Sequence, residues 1–435
     1  MVQVNPSVTR SRQDSTIHRT VLENGIVLLV VENPAADIIA GRIFIRAGSL
    51  WESREVAGLS HLLSAVLTKG TEKLSSLEIA ERVESVGASL SADTSTDYFQ
   101  MSLKTVSADF GDMLHLAGQL LRSPTFPETE VELERRLTLQ DIRSQQEQPS
   151  SIAFDQLRQA MYKQHPYALS TLGTEASVSA LSRADLQGYH QTYFRPDNVV
   201  ISLAGRLTVA DAVELVTQVF GDWQPPASPL PVLNLPSVTP SPHRSITPQE
   251  TQQSMVMLGY LASSVQDADY ATLKLLNTYL GNGLSSRLFV ELREKRGLAY
   301  EVSAFYPTRL DTSQFVVYMG TAPENTAIAL EGLQTEVDRL CTTQLTSDEL
   351  QASKNKLLGQ YALGKQTNTQ LAQVFGWYEA IGEGIEFDTR FQEEVTAITP
   401  EMAQQVAQKY FIEPYVSLVG PAVAVNALLD WESKI

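Results

Sequence analysis

Short apolar runs and longer segments of helical period alternate along this chain, and their order occurs twice. Leu59, Leu62, Leu63, Val66 and Leu67 fall at the spacing of one helical face, which predicts a helix buried along that side. Ile38–Ile45 and residues 255–261 read as strands, as do the short apolar runs 199–203 and 416–419, closed by Gly205 and Gly420. Residues 182–194 match residues 399–411: one opens on Ser182 and the other on Thr399, both candidate helix caps, and they end on Tyr193-Phe194 and Tyr410-Phe411. Residues 124–162 likewise match 345–378 as a long helical pair. An internal duplication is the plainest feature of the pattern.

Each half reads as strand, helix, helix, strand, several helices and a final strand. That order predicts an α+β domain, helices laid on an antiparallel-rich sheet. Between the halves, residues 223–248 carry Pro225, Pro226, Pro229, Pro231, Pro236, Pro240 and Pro242, a density that excludes a helix and favours an extended linker. The expected division is therefore a first domain over 1–222, a Pro-rich linker over 223–248 and a second domain over 249–435. A length of 435 residues suits two cores of roughly 200 residues each.

Composition narrows the function classes. A net charge of −17 argues against nucleic-acid binding, which needs a basic face. No apolar run approaches the roughly 20 residues of a membrane helix. The first residues hold Arg10 and Arg12 without the apolar stretch of a secretory signal, so a cytoplasmic protein is expected. Cys341 is the single cysteine. Any metal would have to be held by histidine and carboxylate.

The helix predicted above carries Gly58-Leu59-Ser60-His61-Leu62-Leu63-Ser64-Ala65, followed by Lys69-Gly70-Thr71. In inverted zincins the motif is His-x-x-Glu-His, two histidines binding zinc and the glutamate activating water. Here His61 stands at the first ligand position, Ser64 at the base and Ala65 at the second histidine. Further segments follow in order: 85–99, then 134–142 with Glu134 and Asp141 seven residues apart, then Tyr193-Phe194-Arg195-Pro196-Asp197-Asn198, and finally Ser285-Ser286-Arg287-Leu288 with residues 291–300. Together these resemble the insulinase/pitrilysin family of metallopeptidases (peptidase family M16), in particular its short-chain two-subunit branch, over most of the chain.

The resemblance implies two homologous halves that form a clamshell, with Asp141 at the position of the third zinc ligand. With a serine for the base, an alanine for a histidine and an aspartate for the last ligand, no functional zinc is expected in this chain. Arg293 and Tyr300 match the family's Arg/Tyr pair, which stabilises the developing oxyanion on a peptide held by the other half's zinc; read locally, they are also a solvated helix charge and an aromatic packed at a strand start. Arg287 follows a glycine turn that could meet peptide backbone. Gly87, Ala88 and Ser89 open an edge strand suited to pairing with an extended substrate.

The implied role is a non-zinc subunit, inert alone, that pairs as a heterodimer or larger complex with a homologous chain bearing His-x-x-Glu-His. The zinc cofactor would lie in that partner and the substrate would be a peptide. The alternative is a catalytically inert scaffold or peptide-binding homologue, as a homodimer when alone.

Overall fold

The computed structural model describes residues 8–12 and 15–425, so most of the N-terminal stretch read above for a targeting signal lies outside the described residues. The chain forms two compact units, and neither is a continuous piece of sequence. The first comprises the chain up to Ile142, Ser170–Asn234 and Ala362–Phe387; the second comprises Arg143–Leu169, Leu235–Tyr361 and the chain from Asp388 onward.

The first unit holds a sheet of seven strands: β1 (Val8–Arg12), β2 (Ser15–Val21), β3 (Val27–Glu32), β4 (Ile38–Ile45), β5 (Ser89–Thr94), β6 (Phe99–Val106) and β7 (Val199–Gly205). Their order is β1-β2-β3-β7-β4-β6-β5. The second holds β8 (Arg244–Pro248), β9 (Ser254–Ala262), β10 (Ala299–Phe305), β11 (Ser313–Thr321) and β12 (Tyr415–Gly420), in the order β10-β11-β9-β12-β8. β3 is parallel to β7 and β8 is parallel to β12, while the remaining pairs are antiparallel. The path β3-β7-β4-β6-β5 is thus repeated by β8-β12-β9-β11-β10, strand for strand and sense for sense. The duplication seen in residues is also one of topology, and β1 and β2 are additions to the first copy.

The predicted caps form. Ser182 accepts the Asp185 N–H and Thr399 the Met402 N–H. The Pro-rich stretch contains no helix, but its end, Arg244–Pro248, is β8 and belongs to the second sheet. β8 is an edge strand, where a proline without an N–H is tolerated. The start of the linker is held by Arg195, whose guanidinium donates to the carbonyls of Ser228 (2.7 Å) and Pro226 (3.2 Å).

The expected long helical pairs exist, but each sends its second helix to the other sheet. β4 is apolar on both faces and therefore needs cover on both. Ile39, Ile43 and Ile45 join a core with Leu62, Phe110 and Leu114. Its alternate face, with Arg42 and Phe44, is covered by Asn368–Ala380, a helix from the second half of the sequence. Arg42 donates to Gln373 (3.0 Å), and Asn368 to the Ile38 carbonyl (3.0 Å). Reciprocally, Pro149–Tyr162 from the first half lies on β9 and β12, and its Gln156 donates to Thr247 of β8 (2.7 Å). The contiguous 1–222 and 249–435 division is modified by this exchange.

Candidate functional site

The motif helix forms as Leu59–Val66, with Leu59, Leu62, Leu63 and Val66 buried. Its N-cap, Gly58, is left-handed (φ 92°) and offers no capping side chain. The cap is supplied from upstream: the Glu52 carboxylate accepts the backbone N–H groups of Gly58 (2.8 Å) and Ser60 (2.6 Å), donors that a helix start leaves unsatisfied. Burial pushes the Glu52 carboxyl up to about 7 against the pull of those hydrogen bonds. Sequence reasoning passed over Glu52; its one signal is an acid shortly before a helix that lacks a capping residue of its own.

His61 is half-buried. Burial lowers its pKa below the ordinary imidazole value, opposed by the fields of Asp93 on β5, Asp141 and Glu134. Three carboxylates thus act on the imidazole through their charge. The rest of the motif offers no metal donor: the buried Ser64 hydroxyl donates to the His61 carbonyl (2.7 Å), and Ala65 presents a methyl group. Glu134 is ion-paired to Lys69 at 2.9 Å, and Asp141 is exposed on the same helix, Glu128–Gln146. Among the described residues, no group of three or more His, Cys, Asp or Glu side chains is gathered to hold a metal ion. One imidazole beside carboxylates, one of them already matched by a lysine, does not fit the three protein ligands of a catalytic zinc.

Gly87 ends the helix Ser76–Ser85. Its φ of 62°, with Gly87 N–H to Glu84 (3.0 Å) and Ala88 N–H to Val83 (3.0 Å), makes the left-handed helix stop that glycine favours. A Cβ there would meet nothing within 4 Å, so backbone conformation, not close approach of another group, calls for the glycine. Ala88 and Ser89 then lead into β5, the edge of the first sheet. Ser89, Ser91 and Asp93 are its exposed alternate positions.

In the second unit the corresponding edge strand is β10. Its register shifts between Ala299 and Glu301, and such a bulge re-aims the residue it contains. Tyr300 sits there, 60% exposed, instead of packing on the sheet. Arg293 belongs to a π-helical segment, Phe289–Lys295, a rare geometry that recurs at functional sites. It is exposed, with its guanidinium 5.0 Å from the centre of the Phe289 ring.

Arg287 is placed differently. Its guanidinium is paired with the buried Glu336 (2.7 Å) and with Glu291 (3.0 Å), which fastens the start of the π segment to the helix Thr326–Thr342. The glycine turn before it is also held: Lys356 donates to the Asn282 carbonyl, and Asn282 to Gln360 (2.7 Å). The glycine turn is therefore tied down.

Comparison with known proteins agrees with this architecture. Residues 27–175 match the insulinase (peptidase family M16) domain and residues 180–357 the peptidase M16 inactive domain. Uncharacterized zinc protease YmxG of Bacillus subtilis is 28% identical over 93% of this chain and 98% of its own length. Uncharacterized zinc protease SCO5738 of Streptomyces coelicolor is 28% identical over 93% and 90%. Among solved structures, the peptidase M16 inactive domain from Pseudomonas fluorescens superposes with a TM-score of 0.87 at 25% identity, covering 94% of this chain and 99% of that one. A protease from Helicobacter pylori shares the fold with a TM-score of 0.88 at 21% identity over 93% and 99%. The chain, with its duplicated sheets and its altered zinc motif, belongs to peptidase family M16.

Proposed function

We propose that this chain is the non-zinc subunit of a heteromeric M16 peptidase. It pairs with a homologous chain that carries His-x-x-Glu-His and zinc, and it supplies Arg293 and Tyr300 to the peptide cleaved there. The observation that carries this reading is the asymmetry between the two units. The motif helix has kept its amphipathic frame, its buried cap and His61 but holds Ser64 and Ala65 in place of the base and the second histidine, while Tyr300 is held out from β10 by a bulge.

A phenol O–H and a guanidinium acquire catalytic value when negative charge grows on the scissile carbonyl oxygen, because they bind that charge more strongly than the neutral amide. The open edge of β5, opening at Ala88 and Ser89, supports pairing with an extended peptide. Arg287 belongs to the supporting frame of the π segment. No helix among the described residues is long and apolar enough to cross a membrane, and a cytoplasmic complex is the setting of this reading.

The test is to purify the complex from its native host and compare it with the same complex carrying Y300F. The expected result is zinc in the complex, none retained by this chain alone, and turnover of a quenched fluorescent peptide reduced on the order of 10²–10³-fold by Y300F with assembly intact. Unchanged turnover would remove the role assigned to the hydroxyl. A native complex without zinc and without cleavage would make the chain a scaffold.

A further inference from the structure

The second unit contains a groove that none of Arg287, Arg293 and Tyr300 lines. It has a volume of 540 Å3, within the roughly 300–1,000 Å3 of ligand pockets. It is lined by the end of the Pro-rich linker, at Val238, Pro240 and Pro242, and by Leu261 of β9 with Tyr410 and Ile412. Ile412 is 78% exposed. An isoleucine left in water beside other apolar side chains offers surface that a partner can bury.

The polar side chains of this groove are of one dominant sign. Asp267, Asp311 and Glu413 line it, and the single lysine, Lys409, is held by Asp269 at 2.5 Å. Asp311 faces the buried His165, whose Nε2 is 3.4 Å from its carboxylate. The His165 Nδ1 accepts the Tyr167 N–H (3.1 Å). The lining thus carries three carboxylates against one ammonium, and that ammonium is engaged by Asp269, outside the lining. Apolar walls with an acidic rim are complementary to a cation attached to an apolar body.

We propose that this groove is a docking site for a polypeptide segment in which basic residues stand beside apolar ones. The basic side chains reach Asp267 and Glu413 at the rim, and the apolar ones cover Pro240, Leu261 and Ile412. A small polyamine satisfies the rim but leaves the apolar walls in water, which is why a peptide is the better match. This inference stands apart from the catalytic reading, since it uses neither Arg293 nor Tyr300.

The experiment measures fluorescence anisotropy of a fluorescein-labelled hexapeptide of alternating Arg and Leu on the full chain alone. Two further probes have the Arg residues replaced by Glu or the Leu residues by Ser, and spermine serves as a competitor. The expected result is binding of the Arg–Leu peptide over both altered peptides. D267N/E413Q and I412S should each weaken it on the order of tenfold, about 1.4 kcal/mol, while R293A and Y300F leave it unchanged. All five substituted positions of the groove and clamp variants are exposed, so their folding is checked by an unchanged thermal transition. Equal binding by D267N/E413Q, equal binding of the Arg–Ser peptide, displacement by spermine at the peptide's own affinity, or loss of binding in R293A would each overturn the proposal. None of these results would touch the Y300F test of the native complex.

Discussion

Arg19 and Glu379, 360 positions apart in the chain, are joined by a two-point ion pair: Nε and Nη2 of the guanidinium donate to the two carboxylate oxygens at 2.9 and 2.8 Å. Arg46 adds a longer contact of 3.6 Å to the same carboxylate. The pair ties the end of the exchanged helix Asn368–Ala380 to β2, within the first unit. Glu379 is buried, so losing its main partner leaves a charged acceptor short of donors, a loss of about 1–3 kcal/mol. R19A should lower the urea midpoint accordingly, and hydrogen exchange should quicken first in residues 368–380.

The same helix contains Gly376, where an added Cβ would stand 2.4 Å from Phe44 and 2.8 Å from Ser202. In an open helix interior, Gly to Ala is stabilising by up to about 1 kcal/mol. Here overpacking, typically about 1–3 kcal/mol, opposes and should win. G376A is expected to lower stability on the order of 1 kcal/mol, and F44L/G376A to be more stable than the sum of the two single changes. Additive behaviour in denaturant titrations would mean that Phe44 is not the obstacle.

Glu52 makes stability depend on pH. Its folded pKa of about 7 lies above the usual 4.5 because burial disfavours the charge. An acid raised in this way binds its proton more tightly folded than unfolded, so its contribution is most favourable at low pH and is lost as pH rises from about 4.5 towards 7. E52Q removes that titration. Between about pH 5 and 8, the decline in unfolding midpoint should be smaller in E52Q than in the unaltered chain; parallel curves would show that Glu52 does not titrate there.

Arg287 separates support from substrate contact. It is paired with Glu336, and once it is removed, the cation left beside that buried carboxylate among the described residues is Arg296, at 3.7 Å. R287A should therefore reduce stability by about 1–3 kcal/mol, while KM for peptide in the complex stays unchanged at temperatures where the fold is intact. A raised KM at full stability would return Arg287 to the substrate.

Local signals in the sequence sufficed for features that depend on a few neighbouring residues. The amphipathic period of Leu59–Val66, the caps at Ser182 and Thr399, the apolar strands closed by glycine and the losses at Ser64 and Ala65 are of this kind. So is the duplication, because both copies use the same caps and the same strand ends. These features determined two related α+β domains and a zinc motif that keeps one histidine and lacks its base and second histidine. The exchange of Pro149–Tyr162 and Asn368–Ala380 is decided by contacts that no local pattern contains: Gly376 against Phe44, Gln373 against Arg42 and Glu379 against Arg19. Side-chain fit and charge pairing across the fold select which helix covers which sheet. The same holds at the candidate sites. Arg287, Arg293 and Tyr300 are close in sequence, yet a buried glutamate binds the first into the frame, while a register shift in β10 turns the last outward.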